Sequence, residues 1–182
     1  GDLVGWSVPH TSTIAERNAF LEFVVALSNV APVASIRGNH DTLRDNDWMN
    51  HLRTSNSVRH FDRPGFYVEK DKPSHALVAL PWIDRSAVGK DEDWRDGILR
   101  LWKAGIDAAV RTAPKRLIVL AHVALKGAVM IEGQPPVPVH DPTFSVDEIL
   151  PDIDVPMVLL AGHYHVPQQV GPRAAYPGAP FV

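Results

Sequence analysis

Apolar residues recur at helical spacing in two parts of the chain. Residues 13–29 open with a Thr-x-x-Glu capping box, and their apolar positions are three and four residues apart: Phe20, Phe23, Val24 and Leu27. This pattern predicts a helix that ends before Pro32. The segment before Pro114 has the same spacing at Trp94, Ile98, Leu101, Gly105 and Ala108. A second helix is therefore predicted there.

Short apolar runs bounded by turn residues predict the strands. These runs are "VASI" at 33–36, "SVRHF", "GFYVE", "HALVALPW", "RLIVLA" and "PMVLLA". Strands that alternate with helices, and that end in polar residues, indicate an α/β layered fold. Residues 42–56 are interpreted as a short polar helix or irregular segment. Residues 125–147 are rich in Gly and Pro and predict a long loop of the kind that is functional or mobile.

Composition narrows the protein class only moderately. The chain has 182 residues, 45% hydrophobic and 21% charged, which suits one globular domain. Its 18 basic and 21 acidic residues give a formal charge of -3, so it has no overall attraction for nucleic acid or anionic membranes. A nucleic-acid substrate is neither indicated nor excluded, and any polyanion site must be local. The absence of cysteine excludes disulfides, thiolate metal sites and thiol nucleophiles.

Two further expectations concern the extent and location of the protein. The chain opens "GDLVGW" without an initiator Met, so we interpret residues 1–182 as one domain truncated at both ends. No apolar run approaches the roughly 20 residues that a membrane span requires, and we expect a soluble, cytoplasmic protein.

Four polar clusters carry the candidate chemistry. They open the chain or follow apolar strands: Asp2, the run Asn39, His40 and Asp41, then His122, and finally the run His163, Tyr164 and His165. Active sites in sheet proteins form at such strand ends. Residues two apart in an extended segment share a face, so both histidines of the last run are expected to point into one site while the tyrosine points away. Imidazole, carboxylate and amide groups together suit Mn, Fe or Zn rather than Ca.

The clusters resemble the signature of the calcineurin-like metallophosphoesterases, which is Asp-x-His, Gly-Asp, Gly-Asn-His-Asp, a lone His and Gly-His-x-His. The last four elements stand here at 1–2, 38–41, 122 and 162–165. "LPW" at 80–82 and "YPGAP" at 176–180 resemble the SbcD-like DNA-repair exonuclease branch, although both can also be read as strand termini with turn chemistry. The chain does not contain the Asp-x-His element, which the resemblance implies lies upstream of Gly1.

The resemblance implies a four-layer α/β/β/α sandwich, here lacking its first strand, and two divalent metal ions. Asp2 would bridge the ions. Asn39, His122 and His163 would complete the shell of one ion, and His165 would bind the other. Mn is the favoured metal, with Fe and Zn as alternatives, and the second site is expected to be incomplete in this chain.

The resemblance also implies the catalytic roles. His40 would meet the substrate phosphate and protonate the leaving oxygen, and Asp41 would hold the ring of His40. Two cations about 4 Å apart neutralise a phosphodiester and activate a water for in-line displacement. The remaining histidines match no part of the signature and are interpreted as exposed or packing residues: His10, His51, His60, His75 and His140. Of these, His140 lies in the long loop, where it could meet substrate.

The predicted function is that of a metal-dependent phosphodiesterase, a DNA exonuclease or endonuclease of the SbcD type acting in repair or recombination. The resemblance further implies a homodimer that works with an SbcC-type ATPase, while the hydropathy of the chain predicts no membrane partner. Two alternatives stay open. One is a metallophosphoesterase for small phosphodiesters or phosphomonoesters, because the motifs are shared. The other is a noncatalytic binding scaffold on the same fold, against which the retention of His40 and Asp41 argues.

Overall fold

The computed structural model describes residues 14–41, 47–68, 74–130 and 141–178. These residues form three α-helices: α1 (Ile14–Val30), α2 (Trp94–Val110) and α3 (Val146–Ile149). Two 3₁₀ turns span Asp47–His51 and Arg85–Ala87. The strands are β1 (Val33–Ile36), β2 (Val58–Phe61), β3 (Gly65–Val68), β4 (His75–Leu80), β5 (Arg116–His122), β6 (Ala124–Leu125), β7 (Thr143–Phe144), β8 (Met157–Gly162), β9 (Gln168–Val170) and β10 (Ala174–Tyr176).

A six-stranded sheet forms the centre of the described residues, with the order β3-β4-β5-β8-β10-β9. The four middle strands are parallel, and β3 and β9 are antiparallel edge strands. Val119 and Leu159 in its middle are fully buried, as expected for apolar strands covered on both faces. The register pairs Leu80 with Ala121 and His122 with Gly162, so the carboxyl ends of β4, β5 and β8 meet at one edge.

Helix α2 packs against β3 and β4. Its N-cap is Asp93, whose side chain accepts hydrogen bonds from the backbone N–H groups of Arg95 and Asp96. The helix prediction is confirmed, but the face that packs is shifted by about one residue from the predicted set. Its buried residues are Gly97, Ile98, Trp102, Ile106 and Ala109.

Helix α1 packs against a separate two-stranded parallel sheet of β1 and β2. The predicted helix is confirmed with bounds one residue later, whereas the predicted capping Thr13 lies outside the described residues. Only part of its predicted apolar face is buried. Val24 is 2% exposed, but Phe23 and Leu27 are 46% and 42% exposed. Val24 packs with Met49 and Val58 in a small core separate from the main one.

The two sheets are joined next to the turn that follows β1. The backbone N–H of Trp82, two residues after β4, donates a hydrogen bond to the carbonyl oxygen of Arg37, one residue after β1, at 3.0 Å. Each sheet therefore has its own long helix, and the two contribute strand ends to a common region. The predicted α/β class is confirmed, and this order of elements fits the sandwich that the resemblance implies. Within the described residues, none of the helices has the length and apolarity needed for a membrane crossing.

Candidate metal centre

The turn after β1 presents the first of the predicted site residues. The backbone N–H of Gly38 donates to Asp41 Oδ2 at 2.8 Å, so a local side-chain-to-backbone hydrogen bond closes the turn. Asp41 is thereby buried, at 6% exposure, while Asn39 and His40 are only partly buried. Nδ2 of Asn39 and Nε2 of His40 lie 3.4 Å apart. The turn thus offers an amide and an imidazole side by side.

Three side chains from different elements, each able to donate an atom to a metal ion, converge at this turn. His122 ends β5 and is 1% exposed. Its Nε2 lies 2.8 Å from Asn39 Oδ1 and 3.2 Å from His163 Nδ1. We refer to Asn39, His122 and His163 as the donor trio. The structure therefore brings together the three residues that the resemblance assigns to one metal ion.

His163 takes its position from an unusual backbone conformation. Strand β8 ends at Gly162, and His163 has a φ of 104°, which few residues with a side chain adopt. Gly162 allows close approach here, because a Cβ there would lie 3.3 Å from Nδ1 of His122, which is tighter than an ordinary contact. Strain of this kind persists where surrounding contacts hold it, and it clusters at functional sites.

The extended-strand argument for the final histidine run is wrong in its physical basis. The strand stops before His163, so simple alternation does not set the side-chain directions there. Tyr164 is buried at 7% exposure, and its ring stacks on the ring of His163 at 5.3 Å between centroids. Neighbouring aromatic contacts, rather than strand alternation, fix this segment.

Four imidazole rings lie close enough together to influence the pKa values of His122 and His163. Burial holds the pKa of His122 well below its ordinary value, and the nearby rings of His163, His40 and His165 act in the same direction. Burial, followed by His40 and His165, lowers the pKa of His163 to about 4. Both trio histidines are therefore neutral near pH 7, which is the form that binds metal ions.

The donor trio fits part of the shell of one divalent ion. Two ligands at right angles, each about 2.1 Å from an ion, are about 3 Å apart, and the two distances from His122 Nε2 are 2.8 and 3.2 Å. The described residues contain no group of three histidine, aspartate or glutamate side chains arranged to hold a metal. The part of the centre seen here is accordingly one amide and two imidazoles, and the predicted ligand Asp2 lies outside the described residues.

The sequence motif "LPW" supplies a packing residue beside the trio. The Trp82 ring stacks on the His163 ring at 6.0 Å and 23°, and it meets the His122 ring edge-on at 6.2 Å and 84°. From "YPGAP", Tyr176 is buried, and its hydroxyl donates to the carbonyl oxygen of Val123 at 2.7 Å. The last two residues of that motif lie outside the described residues. The described parts of both motifs thus contribute to packing around the site.

Sequence reasoning missed Arg37. It is 4% exposed and donates to Trp82 O at 2.5 Å and to Asp84 Oδ2 at 2.7 Å. The available signal was a charged residue placed between an apolar strand and the Gly turn.

The remaining histidines behave as predicted where they are described. His51 and His75 are exposed. His60 is buried, with its Nδ1 2.9 Å from Ser35 Oγ. Two others, His10 and His140, lie outside the described residues, so their roles stay predictions.

The fold and the site together define an α/β protein in which imidazole and amide side chains, groups of the kind that bind metals, gather at the carboxyl ends of strands. The family model of the calcineurin-like phosphoesterases matches residues 1–167. The chain belongs to this family, and the matched range includes every predicted site residue. No curated protein matches the chain. Membership in this family supports the assignment of a metal-dependent hydrolase of phosphoester bonds. Members of the family typically bind divalent metals.

Proposed function

We propose that this metallophosphoesterase hydrolyses DNA phosphodiester bonds, as an exonuclease or endonuclease of the SbcD type in repair or recombination. The observation that carries the hydrolytic assignment is the donor trio with His40 beside it. The choice of DNA is supported by "LPW" at 80–82 and "YPGAP" at 176–180. A homodimer, an SbcC-type ATPase partner and a cytoplasmic location belong to the same proposal.

Three atoms of the donor trio would hold one ion: Asn39 Oδ1, His122 Nε2 and His163 Nδ1. We assign Asp2 to the bridge between two ions and His165 to the second ion. When bound, divalent ions supply positive charge that neutralises the phosphodiester and makes water nucleophilic near neutral pH. Mn is our first choice because imidazole, amide and carboxylate ligands suit it, and Fe and Zn suit the same set.

His40 is our candidate general acid. It is only partly buried, and its Nε2 is 3.4 Å from the amide of Asn39, so it lies beside the trio without being needed to complete it. A protonated imidazole there would give its proton to the departing alkoxide, which is too basic to leave readily on its own. Asp41 is a positioning residue in this proposal, because its carboxylate closes the turn that carries His40.

The test compares the protein with its His40→Ala variant in Mn²⁺, using end-labelled duplex and single-stranded DNA. Loss of a general acid lowers turnover by roughly 100-fold or more, while Mn²⁺ affinity measured by titration calorimetry stays nearly unchanged. His75→Ala is the matched control, since His75 is exposed at the opposite end of β4. It should retain full activity.

Each other result has a definite meaning. Equal loss of Mn²⁺ binding in His40→Ala would identify His40 as a ligand. Cleavage of bis(p-nitrophenyl) phosphate without cleavage of DNA would replace the nuclease by a phosphoesterase for small substrates. Metal binding with no hydrolysis of either substrate would favour the alternative of a noncatalytic binding scaffold.

A further inference from the structure

A buried arginine holds the peptide of Trp82 from two sides. Nη2 of Arg37 donates to the carbonyl oxygen of Trp82 at 2.5 Å, and the backbone N–H of Trp82 donates to the carbonyl oxygen of Arg37 at 3.0 Å. Nη1 of the same guanidinium forms an ion pair with Asp84 at 2.7 Å. The three contacts fix Trp82 relative to the turn that carries Asn39.

The indole of Trp82 contacts both imidazoles of the donor trio. It is 8% exposed and lies parallel to the His163 ring and nearly perpendicular to the His122 ring. The two imidazoles are 5.0 Å apart at 73°. One buried ring therefore packs against both imidazoles at once and restricts the planes of both rings.

The position of His163 requires such support. Its φ of 104° is a sparsely populated conformation that persists only where surrounding contacts determine it. Metal ligands must be held within about 0.5 Å of their productive positions, and the residues that orient them affect metal affinity. The rings of Trp82 and Tyr164 both stack on the ring of His163, and these contacts supply that restraint.

Arg37 is placed to orient rather than to bind a phosphate. Its side chain is 4% exposed, and both terminal nitrogens already donate to Trp82 and Asp84. An anion bound by these nitrogens would compete with the buried contact to the Trp82 carbonyl oxygen and with the ion pair to Asp84. The Asp84 side chain is 48% exposed and is the solvent-facing end of the ion pair.

We propose that Arg37 and Trp82 form a positioning unit that holds His122 and His163 in their metal-binding orientation. The inference rests on the proposed function only in requiring that the donor trio binds a metal ion. Neither Arg37 nor Trp82 would contact the ion. Arg37 holds Trp82 through backbone contacts, and the ring of Trp82 packs on His122 and His163.

The test measures metal binding rather than turnover. Mn²⁺ affinity is determined by electron paramagnetic resonance of the free ion, and the visible spectrum of bound Co²⁺ reports ligand geometry. For Trp82→Leu we expect about 10- to 100-fold weaker Mn²⁺ binding, the usual effect of losing a residue that orients a ligand, and a changed Co²⁺ spectrum. Trp82→Phe retains a ring and should recover much of the affinity. Arg37→Met should change the spectrum in the same direction as Trp82→Leu.

Two controls separate positioning from general destabilisation. Trp102→Phe alters a buried ring of the large core that packs on Phe144, so it should lower stability without changing the Co²⁺ spectrum. Urea unfolding of every metal-free variant identifies those that fold. If Arg37→Met does not fold, the comparison of Trp82→Leu with Trp82→Phe decides the question.

Unchanged Mn²⁺ affinity and an unchanged Co²⁺ spectrum in folded Trp82→Leu would overturn the positioning unit. If the unsubstituted protein binds metal and the variants lose it, yet DNA is not cleaved, the nuclease proposal fails while the positioning unit stands. If the unsubstituted protein binds neither Mn²⁺ nor Co²⁺, both proposals are wrong.

Discussion

Asn39 and His122 meet through two atoms that can each either form a hydrogen bond or bind a metal ion. Because Asn39 Oδ1 can only accept, the proton between them belongs to Nε2 of His122 at 2.8 Å. A metal ion at this nitrogen would replace that proton. The same atoms can therefore form a closed hydrogen-bonded arrangement or bind an ion, and burial keeps His122 in the neutral form that both require.

The low pKa values of the trio histidines predict an acid-sensitive fold. The folded-state pKa of His163 is about 4 against an ordinary 6.5, so below pH 6.5 the unfolded chain binds protons that the folded chain does not. Stability is therefore highest above pH 6.5 and falls as the pH drops towards about 4. Each such histidine contributes a slope of about 1.4 kcal/mol per pH unit. Urea unfolding between pH 7.5 and 4.5, with chelator present, measures this slope.

Two variants test whether His163 contributes to the pH dependence of stability. His163→Asn should reduce the slope, since one of the depressed groups is gone, whereas His75→Ala should leave it unchanged because His75 is exposed. The same slope in His163→Asn as in the unsubstituted protein would mean that other groups control the acid sensitivity.

At the residue scale, the sequence predicted only those site residues that belong to a recognisable motif. Asn39 and His122 are 83 positions apart in the chain, and nothing in their spacing indicates contact; their positions after apolar strands and the resemblance related them. The charge of Arg37 between a strand and a Gly turn was a signal, but its partner could not be predicted, because the fold brings the carbonyl of Trp82 next to it from beyond the end of β4. The φ of His163 was equally inaccessible, since the flanking sequence reads as a continuing strand.

Periodicity predicted the long elements and failed for the short ones. Helices α1 and α2 and strands β1, β2, β3, β4, β5 and β8 coincide with predicted segments, with ends that differ by one or two residues in several of them. Strands β6 and β7, two residues each, together with β9, β10 and α3, were not predicted because such short segments carry no period and depend on their neighbours. One readable signal was overlooked: Ser145 and Glu148 form a capping box that opens α3 inside the supposed loop.

Close packing of α2 gives a test at the scale of one element. A Cβ added at Gly97 would lie 2.2 Å from Cγ1 of Val88, which is well inside contact distance. Gly97→Ala should therefore lower the free energy of unfolding by about 1–3 kcal/mol, the usual cost of overpacking, even though alanine favours helices. Urea unfolding measures the loss. Combining it with Val88→Ala should restore part of that stability, and additive losses in the double variant would show that the contact is not the cause.

The candidate site depends on the whole molecule because its parts come from both sheets. The turn after β1 supplies Asn39 and His40, while the six-stranded sheet supplies His122 and His163 at the ends of adjacent strands. The bond between Trp82 N and Arg37 O joins these two halves directly beside the trio. Local sequence patterns predicted the α/β class, but how the sheets meet follows from side chains far apart in the chain.

The overall charge makes a final prediction about DNA binding. At a formal charge of -3 the chain has no net positive field for a polyanion, so we expect bound cations at the site to supply much of the attraction. Fluorescence anisotropy of a labelled duplex with the His40→Ala variant, which avoids cleavage, should show binding in Mn²⁺ that is lost with chelator. The dependence of affinity on salt should be shallower than for proteins that make about 6–10 phosphate contacts. Tight binding in chelator with a steep salt dependence would instead reveal a local basic surface as the DNA site.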